Sequence, residues 1–519
     1  MTDRWVLPLI VLTIGQFMAV LDMTIVNIAM PTLANEFGVA IDKIEWVVTA
    51  YSLTLGVVAP ASGWLSDRIG PTRLFTMSLV GFALASTLCG LAWDLTSMVV
   101  FRILQAIPGG IIPMITMLII YRIVPPEKLG TAMGMFGIGI MVGPALGPTL
   151  GGYLVQHATW QLIFFINVPV GLIGAVVCLA RLPKLLGHAD RTFDGLGFVT
   201  AAGGLFIGLL VLHEGKEWGW TSYTTMIWGT VSVLLLALFV VIQLEKDEPL
   251  INLRVLKTFP YTVSLLLILF IAVGMQSVYF FLTIFMQQVR GLQAFDAGLM
   301  MLPQTAAMMV LMPLSGPIQS RFGSRGPVVV GLAIMGYASW LLSGITPDTT
   351  NHQLMMWTTI RAVGTGLAMM PIITAGMNAI PVRYATAGSQ LNSITQELAG
   401  SLGLAAMGVL ADRLQAQLTA DWGAMIPHTT PTKGFNDLYG RYQQLASAAA
   451  ADAYGSVYLI AGSMVLLAIP LAFLLAAKPK NEPAQPGPVP AEPVLAGASR
   501  LPPEPERAAE PVTTASTAR

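Results

Sequence analysis

Long apolar runs separated by short polar stretches cover most of the chain. Each run is close to the ~20 residues that a helix needs to cross a bilayer, so we predict fourteen membrane-spanning helices. The first eight predicted spans are Val6–Met30, Trp46–Leu65, Arg73–Ala92, Ser97–Tyr121, Leu129–Tyr153, Leu162–Ala180, Gly195–Leu212 and Thr225–Gln243. The other six are Tyr261–Phe285, Ala297–Pro317, Pro327–Gly344, Gln353–Gly376, Ala387–Leu410 and Ser456–Ala476.

The fifth predicted span carries glycine at every fourth position, at Gly139, Gly143, Gly147 and Gly151. Positions four apart share one helix face, so these glycines form a groove without side chains. In lipid such a groove lets another helix pack closely. Pro144 and Pro148 each remove a backbone donor and bend a helix. We predict a bent, closely packed helix where two moving bundles touch.

Composition agrees with a membrane protein. The chain is 55% hydrophobic and 10% charged, with a mean hydropathy of +0.71, whereas soluble domains are about 25% charged. The formal net charge is zero, which gives no indication of nucleic-acid binding. Cys89 and Cys178 lie in apolar runs, so neither a disulfide framework nor a metal site is indicated.

Basic residues are concentrated in alternate connections between the predicted spans. These connections contain, for example, Arg68, Arg122, Arg254 and Arg321. Because cytoplasmic loops are enriched in Lys and Arg, this bias places both termini in the cytoplasm. An even number of spans agrees with that orientation.

A motif after the second span recurs after the tenth span. Gly63-x-x-x-x-Arg68-x-Gly70 is matched by Gly316-x-x-x-x-Arg321-x-Gly323. In the same way, Arg102 early in the fourth span matches Arg361 early in the twelfth. Repeated halves with a site at their interface are typical of transporters.

The repeat predicts how the chain is divided. Residues 1–181 would form a six-helix bundle, 182–258 two inserted helices with flanking segments, and 259–478 a second six-helix bundle. Residues 411–454 are predicted to form a long outside loop, with room for a short helix of its own. Residues 479–519 are rich in Pro, Ala and Glu and are predicted to be a disordered cytoplasmic tail.

Several of these motifs are known together from one family. They are LDMTIVNIAMP at 21–31, Trp46 and Tyr51 in the second span, GWLSDRIG at 63–70, RILQ at 102–105 and the glycine stretch of the fifth span. Over about residues 5–477 the chain resembles the major facilitator superfamily, specifically its fourteen-helix drug:proton antiporter branch of multidrug efflux transporters. There are departures, since Pro71 and Thr72 replace usual basic residues, Pro108 replaces a glycine, and Ser320 stands where the first half has Asp67.

The resemblance implies an all-α membrane fold of two pseudo-symmetric six-helix bundles plus two inserted helices, driven by a proton gradient without a cofactor. It implies a bacterial inner-membrane location.

The resemblance also assigns roles to particular residues. It assigns the antiport motif of helix 5 to Gly139, Gly143, Pro144, Gly147, Gly151 and Gly152. It assigns a cytoplasmic gate that locks the outward-open state to Gly63, Asp67, Arg68, Gly70 and Arg73. Asn27, in the helix 1 motif, becomes a candidate cavity residue. As an alternative role, Asp67 would cap the start of the third helix.

Ionisable residues inside membrane spans are functional candidates, because each costs roughly 2.5–3.5 kcal/mol to insert. Asp22 and Arg102 lie at similar depths in the first and fourth spans, so an ion pair is possible. Loss of a proton at Asp22 would favour this pair and gain of one would release it. The alternative is a static pair that only packs two helices. Arg361 takes the pseudo-symmetric place of Arg102, without an assigned partner.

Glu397 lies near the middle of the thirteenth predicted span. Gln390, Ser393 and Glu397 share one helix face, which suggests the wall of a wet cavity. We predict that Glu397 contacts a cationic substrate and takes part in proton coupling with Asp22 and Arg102. Alternatively, Glu397 is protonated and hydrogen-bonded between helices.

These observations predict a transporter that exports lipophilic, cationic drugs in exchange for protons. A dedicated exporter of one endogenous lipid, siderophore or peptide is an alternative. A channel or receptor is disfavoured by the half-repeat. The chain contains no G-x-x-x-x-G-K-[ST] phosphate loop and no nucleophile elbow, which argues against an ATP-driven pump and an enzyme. Expected partners are the substrate, protons and lipid; an accessory membrane-fusion protein is left open.

Overall fold

The computed structural model describes residues 5–39, 41–125, 128–185, 187, 192–246, 248–424 and 435–475. The predicted tail therefore lies outside the described residues. Long helices dominate the described part, and we label them α1 to α14 in chain order. They are α1 (Val6–Phe37), α2 (Trp46–Ile69), α3 (Pro71–Gly90), α4 (Leu95–Ile123), α5 (Leu129–His157), α6 (Leu162–Phe165 and Asn167–Arg181), α7 (Gly195–Trp218), α8 (Tyr223–Glu245), α9 (Phe259–Ile284), α10 (Ala294–Phe322), α11 (Arg325–Ser343), α12 (Asn351–Asn378), α13 (Ala385–Ala424) and α14 (Phe435–Leu467).

The helices are long and apolar enough to cross a membrane. Within the described residues, 13 helices meet the length and hydropathy of a spanning helix. The remaining predicted span, Leu129–Tyr153, corresponds to α5, which is helical over 29 residues. Several side chains of α5 are not among those that the structure describes. The protein is a multi-pass membrane protein with an all-α fold, as the apolar runs predicted.

Helix α1 continues past its predicted end at Met30. Pro31 lies inside the helix, which ends at Gly38 with φ of +63°. A left-handed residue after a helix is accommodated by glycine without a steric cost, so Gly38 ends α1. The hydropathy pattern marked where the apolar residues stop, and the helix extends beyond that point.

The predicted outside loop at 411–454 is largely helical, which corrects the prediction. Helix α13 runs on to Ala424, and α14 already begins at Phe435. These extensions are rich in Ala, Leu and Gln, which are strong helix formers. They are too polar to count as membrane spans, so hydropathy alone identified them as a loop.

The repeated motifs form matching local structures. Gly70 after α2 and Gly323 after α10 both have positive φ, +96° and +75°. Helices α4 and α12 both begin with a capping box, at Asp94 in the first case and at Thr350 in the second. The internal repeat read from sequence therefore recurs in the backbone, while the division into two bundles stays a prediction.

Helix α5 lies between α1 and α10. A methyl group added at any stripe position would lie 2.9 Å or less from an atom of α1, and this holds for Gly139, Gly143, Gly147 and Gly151. The close packing predicted for the stripe is thus observed. The stripe itself faces α1, while other glycines of the same helix face α10, so α5 packs against helices of both predicted bundles.

The contact with α10 uses other glycines of α5. A methyl group on Gly130 would lie 2.8 Å from Cα of Gly316. Gly134, which also meets α10, precedes Gly139 by five residues and so lies about 140° around the helix. The Gly152 position is 3.7 Å from Phe295 of α10. The side chains of Pro144 and Pro148 lie outside the described residues.

The two helices predicted to be inserted have different surroundings. Helix α7 packs against α2 and α13, whereas α8 packs mainly against α7. At one end of α7, His213 hydrogen-bonds with Thr49 of α2. At the other end, Asp194 accepts hydrogen bonds from Gln243 at 2.7 Å and from Lys246 at 2.5 Å, which tie α7 to the end of α8.

Candidate functional site

A cavity of about 270 Å³ lies among the central helices. Its walls come from α1, α2, α4 and α5 in the first half of the repeat, from α9, α12 and α13 in the second half, and from the inserted helix α7. Most wall residues are apolar, and the polar ones are Gln16, Tyr51, Gln276, Ser393, Gln396 and Glu397. Among the described residues of the wall, Glu397 is the one charged side chain. Ligand pockets commonly combine apolar walls with a few polar groups in this way.

Two of the predicted cavity residues lie in the wall and two do not. Ser393 and Glu397 line the cavity as expected. Gln390 instead donates a hydrogen bond to the carbonyl of Pro60 at 2.9 Å, because it lies two turns before Glu397, where α13 meets α2. Asn27 is exposed on α1, about 140° around the helix from Asp22, and does not line the cavity.

Asp22 and Arg102 form the ion pair that their depths suggested. Oδ2 of Asp22 lies 2.6 Å from Nη1 of Arg102, and the two side chains are 0% and 1% exposed. The other oxygen, Oδ1, accepts hydrogen bonds from Gln105 at 2.9 Å and from Asn167 at 2.8 Å. A buried carboxylate needs such partners, since desolvation is not offset by one contact alone.

Arg102 is held by further groups. Its Nη1 also donates to Oε1 of Gln105 at 2.6 Å, and its Nε donates to the carbonyl of Val47 at 3.3 Å. The ring of Tyr51 lies 4.1 Å from its Cζ and the ring of Phe164 lies 5.9 Å away. An arginine over an aromatic face is stabilised by the ring quadrupole.

Sequence reasoning missed the uncharged members of this cluster. Gln105 and Tyr51 were recognised only as motif residues, and Asn167 was not considered. Asn167 is a polar side chain inside an apolar run of α6, so a search for uncharged polar residues in spans would have found it. Its amide reaches the same carboxylate as Arg102 and Gln105.

Arg361 is buried like Arg102 but has different partners. Its Nη2 donates to the carbonyl of Gly274 at 2.8 Å, and within the described structure its Nε has no hydrogen-bond partner. Arg361 is 5% exposed, and its pseudo-symmetric relation to Arg102 stays a prediction. The carboxylate that pairs with Arg102 has no counterpart among these contacts.

The predicted cytoplasmic gate residues lie around the end of α2. Thr386 of α13 donates a hydrogen bond to Asp67 at 3.5 Å. Gly63 leaves no room for a side chain because it packs against Gln390 of α13. Arg68 lies over the ring of Trp64, with Cζ 5.2 Å from the centroid. Asp67 and Gly63 therefore join α2 to α13.

Two further gate expectations concern the start of α3, where Asp67 and Arg73 lie on either side of Gly70. The N-cap of α3 is Gly70, which has no side chain, so Asp67 near the start of this helix keeps its alternative role as a prediction. Arg73 is exposed on the first turn of α3.

The chain matches the model of the Major Facilitator Superfamily over residues 12–404. It belongs to this superfamily. Members of the Major Facilitator Superfamily are membrane transporters and not enzymes, which agrees with a central cavity between repeated halves.

Relatives of this superfamily member are named as exporters. The chain is 30% identical over 505 residues to the tetracenomycin C resistance and export protein of Streptomyces glaucescens, covering 93% of this chain and 94% of that protein. It is 33% identical to the putative multidrug resistance protein MdtD of Serratia proteamaculans, covering 77% and 84% of the two chains. These names are consistent with the drug:proton antiporter branch.

Solved structures confirm the superfamily fold. The chain aligns with the proton:xylose symporter XylE with a TM-score of 0.61 and 13% identity, over 91% of this chain and 96% of that one. It aligns with a bacterial homolog of the lysosomal transporter Spinster with a TM-score of 0.56 and 16% identity, over 91% and 97% of the two chains. At these identities the likeness concerns the fold alone.

Proposed function

We propose that this protein exports lipophilic cations in exchange for protons by alternating access. The observation that carries the proposal is the Glu397 carboxyl in the wall of an otherwise apolar cavity. Apolar walls favour a lipophilic body, and a carboxylate favours a positive charge on it. Protons compete with such a cation for the same carboxylate, which is the basis of exchange.

The ion pair of Asp22 and Arg102 would supply a second protonation step. A proton on Asp22 removes the attraction to Arg102 and changes how α1 and α4 are held together. An inward proton gradient would drive this cycle, with the voltage part worth roughly 2.3 kcal/mol per charge per 100 mV. Helices α1–α6 would move against α9–α14, with α7 and α8 attached beside them.

Three observations support this proposal. Relatives at 29–33% identity are named as a putative multidrug resistance protein, a multidrug resistance protein B homolog and a tetracenomycin C resistance and export protein. The cavity is built from both sides of the internal repeat, and Thr386 and Gln390 join α13 to α2 at one end of it. Within this proposal Asp67, Arg68 and Arg73 hold the cytoplasmic face closed, and both termini are cytoplasmic in the bacterial inner membrane.

The proposal is tested by export in everted membrane vesicles under an imposed pH gradient. Asp22→Asn and Glu397→Gln are compared separately, with the exposed Glu245→Gln as a matched control. Wild type and the control should accumulate a lipophilic cationic dye only when the gradient is present. Both site variants should fail to accumulate the dye in response to the pH gradient. Normal, gradient-driven transport by both site variants would refute the assignment.

A narrower exporter is the second candidate. The relative that covers 93% of this chain is named for resistance to and export of one compound, tetracenomycin C. Competition among chemically unrelated dyes separates the two functions. Mutual inhibition supports a broad range, whereas transport of one compound without competition supports a dedicated exporter.

A further inference from the structure

The buried ion pair and the cavity are separate places, and Tyr51 belongs to both. Asp22 and Arg102 are not among the residues that line the cavity, whereas Tyr51 and Glu397 are. The ring of Tyr51 lies 4.1 Å from Cζ of Arg102. Tyr51 is itself only 1% exposed, so the ring fills the space between the two sites.

The surrounding helices hold the ring in this position. A methyl group added at Gly109 of α4 would lie 2.5 Å from Oη of Tyr51, so glycine is needed to make room for the phenol. One turn before Tyr51 on α2, the carbonyl of Val47 accepts a hydrogen bond from Nε of Arg102. Helix α2 therefore contacts the guanidinium with its backbone and with an aromatic face.

The ionisable groups near Tyr51 come from four helices. They are Asp22 on α1, Cys89 on α3, Arg102 on α4 and Glu397 on α13. Cys89 donates to Oε1 of Gln105 at 3.5 Å and does not line the cavity. Tyr51 thus contacts the guanidinium of the ion pair and lines the same cavity as Glu397.

We propose that Tyr51 is a positioning residue that separates the Asp22–Arg102 pair from the cavity, so that proton exchange at Asp22 depends on what occupies the cavity. The inference rests on the proposed antiport. The ring keeps cavity water away from the carboxylate and fixes the guanidinium that pairs with it. Without the ring, Asp22 exchanges protons with the cavity whether or not a substrate is present.

The experiment measures proton leak into proteoliposomes without substrate, together with the pH dependence of dye export. Tyr51→Leu removes the ring, and Tyr51→Phe keeps it. We expect a several-fold faster leak and a flattened pH profile for Tyr51→Leu, and near wild-type values for Tyr51→Phe. Phe164→Leu is the matched control, because Phe164 is also buried and faces Arg102 but does not line the cavity.

A folded Tyr51→Leu protein without added leak would overturn the inference, and so would an equal leak in Phe164→Leu. If Tyr51→Leu does not fold, Gly109→Ala decides the question, because its methyl group displaces the ring without changing Tyr51. Gly110→Ala is its control, since the added methyl group there meets Leu55 at 3.3 Å. A leak in Gly109→Ala supports the inference and its absence overturns it.

Failure of the inference can be told apart from failure of the proposed function. If wild-type export does not respond to a pH gradient, antiport is refuted. If wild-type export does respond, while the Tyr51 and Gly109 variants show no added proton leak and keep the pH dependence of dye export, only the role of Tyr51 is refuted.

Discussion

At the scale of single residues, the carboxylate of Asp22 and the guanidinium of Arg102 set the requirements of the site. Both are almost fully buried, and each has partners besides the other. Removing one member of a buried pair leaves an uncompensated charge, whereas replacing both with apolar groups is often neutral. This asymmetry holds for any buried pair, so transport by the variants, and not their stability, distinguishes a working pair from one that only packs helices.

The first prediction follows from this asymmetry. Arg102→Met alone should lower the free energy of unfolding by roughly 3–5 kcal/mol, because Asp22 is then buried without its counter-charge. The double variant Asp22→Leu/Arg102→Met should recover much of that loss but should not transport. Thermal unfolding in detergent and dye export are the two measurements. A double variant that transports normally would show that the pair is only structural.

Sequence predicted the charged residues of the site better than the uncharged ones. Asp22 and Arg102 were found because a charge in an apolar run is conspicuous and because their depths agree. Gln105 and Asn167 complete the same cluster but carry no charge, so hydropathy does not mark them. Gln390 was misplaced because a shared helix face does not tell where along its length α13 leaves the cavity and meets α2.

At the scale of elements, the helix contacts depend on where glycines lie around α5. Gly130 and Gly316 let the backbones of α5 and α10 touch, while the stripe faces α1. In membranes such contacts supply packing that apolar burial does not. Sequence identified the groove correctly, since glycine spacing alone defines it. It did not identify the partner helix, which depends on the tertiary arrangement.

The second prediction concerns this contact. Gly130→Ala places a methyl group 2.8 Å from Gly316 and should destabilise the protein by about 1–3 kcal/mol, as overpacking does. Thermal unfolding in detergent measures the change. Gly326→Ala is the control, because no atom lies within 4 Å of its added methyl group. Equal stability of the two variants would contradict the described contact.

The third prediction concerns the junction of α7 and α8 outside the membrane spans. Burial raises the pKa of Asp194, but hydrogen bonds from Lys246, Gly197 and Gln243 outweigh it and hold the pKa below its ordinary value. The carboxylate therefore stabilises the fold above its unfolded pKa of about 4, and this stabilisation is lost as the pH falls through the lower folded value.

Asp194→Asn retains a residue that can cap α7 but loses the charge-assisted bond to Lys246 at 2.5 Å. It should lower stability by roughly 1.5–3 kcal/mol at pH 7, the size of a hydrogen bond to a charged group. Thermal unfolding should show a smaller difference from wild type at strongly acidic pH. A difference that does not change with pH would contradict this explanation.

At the scale of the whole molecule, alternating access requires the contact between α2 and α13 to open. Thr386 and Asp67 face each other across it at 3.5 Å. The pair Asp67→Cys/Thr386→Cys should cross-link under oxidation or with a short thiol-reactive linker and should then stop export. Reduction should restore it. The two native cysteines, Cys89 and Cys178, are buried and should not interfere.

Each single cysteine variant is the control for the cross-link. Neither should respond to oxidant or linker. Continued export by the cross-linked double variant would show that α2 and α13 need not separate at this contact, and alternating access in the proposed form would then be wrong.

The sequence predicted the overall architecture more completely than the limits of its elements. Apolar runs predicted fourteen spans, 13 of which are found in order among the described helices, and the paired Gly-x-x-x-x-Arg-x-Gly motifs predicted the repeat. The helical extensions after Leu410 and before Ser456 were missed, because hydropathy reports where a chain is apolar and not where its backbone stops being helical. The central cavity itself depends on contacts between helices far apart in sequence.

The length of α13 has a practical consequence. A 40-residue helix is about 60 Å long, roughly twice the hydrocarbon thickness of a bilayer, so it projects well beyond the lipid. Small pseudo-symmetric transporters are difficult to orient in electron micrographs because a micelle hides most of their features. Here the part of α13 that projects beyond the lipid gives each particle image a landmark, which distinguishes the half of the molecule that contains α13 from the other half.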